Sequence, residues 1–165
     1  PVYCPNRIVN SILGVKGSLY RQKNIAFSFD CRLPEPLSLS GVTLCSLFTN
    51  VLDNAYHAVQ SGGPELRRID LSAYLVNGFL LLTCQNPIPP GSQPKLERRR
   101  KAEDGTQHGL GLLILQTIAE QHKGAMEIQT ANDIFQIRLL LQLPAPSTSP
   151  VPASILPQKE EATPV

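Results

Sequence analysis

Asn50, Asp53, Asn54 and His57 fall along one flank of a helical apolar stripe. Asn50 and Asn54 are four residues apart, so on a helix their side chains share a face, one turn from each other. Asparagine carbonyls are hard oxygen ligands of the kind Mg²⁺ accepts, and Mg²⁺ keeps several waters and binds mainly through substrate phosphates. An ordinary amphipathic helix also leaves such a flank to solvent, so spacing alone leaves both readings open. The run His108-Gly109-Leu110-Gly111-Leu112 stands where an aperiodic stretch gives way to a helix. Unpaired N–H groups at a helix start attract phosphate, and glycines let its oxygens approach the backbone. The same glycines would also serve a tight helix entry and close packing. The run is neither a Walker A loop nor the glycine-rich loop of a protein kinase. At Cys84-Gln85-Asn86-Pro87 a strand ends in an amide and a proline. An asparagine there can accept from an adenine amino group and donate to a ring nitrogen, or it can simply form a turn.

These residues need elements to hold them. Ile8, Ile12, Val15 and Leu19 predict a helix over about 6–22, and the alternation of Ile25, Phe27, Phe29 and Cys31 predicts a strand to Arg32. Ser40 is placed to cap a long helix running to about Gln60, where Gly62-Gly63-Pro64 stops it. Its core stripe is Leu44, Leu47, Phe48, Val51, Leu52, Ala55 and Val59. Asn77-Gly78 predicts a type I′ hairpin between strands at 67–76 and 79–85. From Pro87 to His108 there is no apolar periodicity; this long loop holds Lys95 and the basic run Arg98 to Lys101. A helix over 109–123, ended by Gly124, precedes strands at 125–130 and 134–143 that turn at Asn132-Asp133. Hairpins with helices on one face predict an α+β fold, a two-layer sandwich with a mixed, mostly antiparallel sheet.

The chain has 165 residues, enough for a single good core. Hydrophobic residues make up 42% and charged residues 17%, and the net charge of +2 gives no reason to expect nucleic acid or an anionic membrane as partner. No apolar run reaches the ~20 residues of a membrane span. The four cysteines lack metal-ligand spacing and read as idle or buried thiols of a reducing cytoplasm. Beginning at Pro1 rather than Met fits a piece of a longer protein, and residues 145–165 read as a proline-rich tail without a core of its own.

Taken together, the motifs resemble a known family. Leu44 to Ala55, containing Asn50-Val51-Leu52-Asp53-Asn54-Ala55, is similar to the N box of the GHKL ATPases, seen in histidine kinases as N-L-L-D-N-A. His108 to Leu112 resembles their G2 box. The likeness runs over about Asn6 to Pro144. Asn10 and Lys16 on the first helix, Asp53, and Asn-Pro in place of an Asp-x-Gly-x-Gly box resemble the branch typified by peptide-pheromone receptors.

This resemblance implies the Bergerat (GHKL) ATP-binding fold. It implies a helix over 1–24 leading from a dimerisation and phosphoacceptor region, an ATP-binding domain over 25–144, and the tail. The cofactors implied are ATP and Mg²⁺. Asn54 would ligate the metal, with Asn50 at the metal or phosphate edge. Asn86 would stand in the adenine-reading place usually held by Asp, without its charge. His57 would stand where many kinases have a phosphate-contacting Lys. His108, Gly109, Leu110, Gly111 and Leu112 would line the phosphates. The activity implied is that of a sensor histidine kinase catalytic domain in the cytoplasm, passing the γ-phosphoryl of ATP to a histidine elsewhere in its parent, which then serves a response regulator. Alone, such a piece would not label itself. A GHKL serine kinase of the anti-sigma-factor type and a degenerate GHKL docking module are the alternatives.

Overall fold

The computed structural model describes residues 2–60, 62–92 and 110–144. In chain order they form α1 (Arg7–Gln22), β1 (Ala26–Arg32), α2 (Gly41–Gln60), a 3₁₀ turn at Pro64–Leu66, β2 (Arg68–Val76), β3 (Phe79–Pro87), α3 (Leu110–Gln121), β4 (Ala125–Ala131) and β5 (Ile134–Gln142). The five strands make one sheet in the order β1-β2-β3-β5-β4. Only β1 and β2 run parallel, because α2 crosses over between them; the other pairs are antiparallel. This is the mixed, mostly antiparallel sheet the sequence predicts.

Local chemistry explains most boundaries. Asn6 caps α1 by accepting from the Val9 amide at 3.2 Å, while its own amide groups reach Leu33 O and Pro34 O. Ser40 Oγ accepts from the Thr43 amide at 3.0 Å and starts α2. Asn77 and Gly78 take φ of 50° and 81°, and Asn132 and Asp133 take 52° and 59°, as tight hairpins require. Ile69, Leu71 and Ala73, then Leu80, Leu82 and Cys84, then Phe135, Ile137, Leu139 and Leu141 bury one face of the sheet. Against it α2 packs all seven residues of its predicted stripe.

Three expectations are corrected. On α1 the buried positions are Val9, Leu13 and Tyr20, with Ile8, Ile12 and Leu19 partly covered, while Val15 is 70% exposed. The helix is rotated about one residue from the predicted stripe, because that turns Tyr20 into the core. β3 continues through Asn86 and Pro87, paired with Phe135 and Ile134, instead of ending at Gln85. Pro87 is the last residue of the strand, where a missing N–H costs the ladder least. At the end of α3 the left-handed residue is Lys123, at φ 49°, and not Gly124. Gly124 is required for another reason: a methyl group there would overlap the Leu140 carbonyl, where β5 passes the helix end. The Gly124 amide still closes the helix on Ala119 O at 2.8 Å. The predicted loop over 87–108, its basic residues and the tail fall largely outside the described residues.

Two consequences can be measured. Gly124→Ala should cost about 2–3 kcal/mol in urea unfolding through overpacking, whereas Lys123→Gly should stabilise by about 0.5–1 kcal/mol by relieving a left-handed side chain. Burial pushes the Cys31 and Cys84 thiols up to about 12, and Cys4 is buried too, while Cys45 is exposed. A raised pKa keeps a thiol protonated and unreactive at pH 8. Disulfide-exchange titration of the native chain should therefore release one fast equivalent from Cys45, with the other thiols reacting only after denaturation.

Candidate nucleotide site

The flank of α2 that faces away from the sheet carries Asn50, Asp53 and Asn54 half-buried and His57 exposed. Asn50 is held from within its own helix, since its Nδ2 donates to Ser46 O at 2.7 Å. That bond turns Oδ1 toward α3. A Cβ placed on Gly111 would stand 3.1 Å from Asn50 Oδ1, closer than nearly all real contacts of that type. The two motifs, separated by about sixty residues of chain, thus meet at one point, and a side chain at 111 would press on the Asn50 amide unless that amide shifted by a few tenths of an ångström. The first-turn amides of α3, at Leu110, Gly111 and Leu112, have no partner within the helix, and they sit at its positive end. Leu112 and Ile114 anchor this turn on the core, while Leu110 and Leu113 are exposed.

On its other side the flank is tied to α1. Lys16 Nζ is bonded to Asp53 Oδ1, and the Tyr20 hydroxyl donates to Leu52 O at 3.0 Å. The Tyr20 and Tyr56 rings stack with centroids 5.7 Å apart. Burial, with smaller contributions from Cys84, Asp53 and Tyr56, pushes the Tyr20 hydroxyl far above the ordinary phenol range, so it acts only as a neutral group. Helical spacing places Asp53 on the flank, the resemblance alone points to Lys16, and neither points to Tyr20. The signal was present in the spacing, because Val9, Leu13, Lys16 and Tyr20 follow the helical repeat and Lys16 is the one charged member of a buried stripe.

Asn86 lies on the helix-facing side of β3 and is 2% exposed. Apart from the capping Asn6, it is the only buried polar side chain among the described residues. Its Nδ2 donates one of its two hydrogens to Pro87 O at 3.0 Å. His57 lies beside Tyr56, the ring centroids 5.7 Å apart. His108 and Gly109 lie outside the described residues, as do Lys95 and the run Arg98 to Lys101. The structure therefore unites Asn50 with Gly111 and Asp53 with Lys16, and places Asn86 on the helix-facing side of the sheet.

Mg²⁺ fits this chemistry in a limited way. Among the described residues no group of three or more His, Cys, Asp or Glu could hold a metal ion. An amide oxygen such as that of Asn54 would leave most of a six-oxygen shell to phosphates and water, which is how Mg²⁺ is usually held beside polyphosphates. A groove of about 360 Å³ between α2 and α3, lined by Val42, Ser46, Leu113 and Thr117 among others, does not include Asn54 or Asn86. No described helix is long and apolar enough to cross a membrane.

Comparison with known proteins identifies the family and the fold. The chain is 28% identical over 142 residues to the sensor histidine kinase HprS of Escherichia coli, covering 81% of this chain and 30% of HprS. It is 31% identical over 141 residues to the nitrogen regulation protein NtrY of Azorhizobium caulinodans, covering 76% of this chain and 18% of NtrY. It thus spans less than a third of either relative. Among solved structures, the catalytic domain of histidine kinase ThkA superposes with a TM-score of 0.64 at 17% identity, over 84% of this chain and 91% of that one. The Acinetobacter baumannii histidine kinase AdeS gives 0.58 at 15%, over 82% and 63%. At those identities the structures establish the fold alone. The model of the GHKL domain matches residues 39–142, which include α2 with Asn50 and Asn54, Asn86, and the α3 entry; the chain belongs to the GHKL domain family.

Proposed function

We propose that this chain is the Mg·ATP-binding catalytic domain of a sensor histidine kinase. The observation that carries the reading is the approach of Gly111 to Asn50 Oδ1, which sets a helix N-terminus against an amide-bearing flank. The amides of Leu110, Gly111 and Leu112 would hold phosphate oxygens, joined by His108 and Gly109. Asn54 would ligate Mg²⁺, Asn50 would border the metal or phosphate, and His57 would donate to a phosphate. The carbonyl Oδ1 of Asn86 would accept from the adenine amino group. When bound, Mg²⁺ supplies neutralisation of the charge that develops as the γ-phosphoryl leaves. The protein's own share is positioning, because phosphoryl transfer asks for alignment more than for covalent help.

The acceptor histidine would belong to a dimerisation and phosphoacceptor region of the parent protein, with a response regulator downstream and the domain on the cytoplasmic side. None of this chain's own histidines suits that role. His57 and His108 belong to the binding motifs, and His122 closes α3 with its carbonyl accepting from the Gln142 amide at 2.9 Å. The uncharged Asn86 favours one second reading, a degenerate GHKL module that docks a partner without using ATP.

A thermal-shift titration separates these readings. At ATP about 20 times its Kd, linkage gives about 1.8 kcal/mol, or a rise of roughly 4–7 °C for a domain of this size. The rise should need Mg²⁺ and should vanish in Asn54→Ala, and the chain should stay unlabelled by γ-labelled ATP. No rise at millimolar ATP would transfer the assignment to the docking module.

A further inference from the structure

The α1–α2 contact contains a feature that packing does not require. Lys16 occupies a core-facing position on α1, one turn from Tyr20 and one turn from Leu13, where an apolar residue would serve burial better. Its side chain is only 15% exposed and spends its charge on Asp53, whose side chain is 41% exposed. Asp53 is the immediate neighbour of Asn54 and one turn from Asn50. The Tyr20 hydroxyl grips the backbone of the same turn at Leu52 O. A hydrogen bond to a helix carbonyl near the axis fixes where α2 lies but leaves it free to roll. A bond to a side chain on the rim fixes the roll. A side-chain oxygen rides about 5–6 Å from the helix axis, so a roll of about 20° moves it by about 2 Å. That is several times the ~0.5 Å tolerance of a working site.

We infer that Lys16 is a positioning residue for the Mg·ATP site, setting the roll of α2 through Asp53 so that Asn50 and Asn54 face the nucleotide. The inference rests on the Mg·ATP reading above and adds a residue that touches neither metal nor nucleotide. Lys16 acts only through Asp53, and Asn50 is the group whose setting it shares with Ser46 and Gly111.

The test is the Mg²⁺ enhancement of nucleotide binding, taken as the ratio of ADP affinities with and without Mg²⁺ by calorimetry on the full chain. Circular dichroism at the same temperature confirms that each variant is folded. Lys16→Met should lower the enhancement about tenfold while metal-free ADP binding changes less than about threefold. Lys16→Arg, which keeps the bond, should stay within about threefold of wild type and covers the case in which Lys16→Met does not fold, because Lys16→Gln can then be read beside it. The double variant Lys16→Met with Asp53→Asn should remain as weak as the single one, since the tether is still missing. Recovery in the double variant would mean that an unpaired carboxylate was the whole effect, and the inference would fall. An unchanged enhancement in Lys16→Met, or equal loss with and without metal, would overturn it as well. Absence of Mg²⁺-dependent binding in the wild type is a different result, which removes the Mg·ATP reading and the inference together.

Discussion

Everything in this domain turns on a division of labour around one helix. α2 has to bury Leu44, Leu47, Phe48, Val51, Leu52, Ala55 and Val59 on the sheet, and burying such side chains gains about 1.5–3 kcal/mol for each large one. The same helix has to hold Asn50, Asp53 and Asn54 on a flank that stays half-open. A cylinder with 3.6 residues per turn can do both only if its roll is fixed, because the two faces are less than half a turn apart. The sheet fixes it coarsely through packing. Neighbours on either side touch it too: α3 approaches closely at Gly111, α1 holds the backbone of α2 through Tyr20, and Lys16 bonds its rim at Asp53, the contact inferred above to set the roll.

Glycine has two distinct uses in this arrangement. At Gly111 the missing side chain admits the Asn50 oxygen, and at Gly124 it admits the backbone of β5. Both hold α3 at its ends, one against α2 and one against the sheet. The helix N-terminus, whose first-turn amides lack partners within the helix, is thereby presented at a set place. The left-handed turn that glycine usually supplies at a helix end falls instead to Lys123.

Much of this was legible in the sequence, and the exceptions have physical causes. The hairpins at Asn77-Gly78 and Asn132-Asp133 were readable because positive φ selects few residues, and α2 because its stripe is long and unbroken. The motif residues Asn50 and Gly111 were readable as candidates, but their meeting was not, since periodicity carries no information about which helices touch. α1 was misjudged by one position because Tyr20 and Lys16 look like surface residues when taken alone; a tyrosine whose hydroxyl finds a buried carbonyl, and a lysine that finds a carboxylate, are core residues in all but type. The end of β3 was misplaced because Asn-Pro is a turn signal, and only the partner strand shows that Pro87 is tolerated at the last rung.

The amide flank of α2 and the first turn of α3 are proposed to form one nucleotide site. Amide chemical-shift mapping during titration with Mg·ADP addresses it residue by residue. The largest perturbations should fall at Asn50 to His57 and at Leu110 to Leu112, with the Asn86 side chain moving in step at the same midpoint. Perturbations confined to the groove around Val42, Leu113 and Thr117, or none at millimolar Mg·ADP, would contradict it.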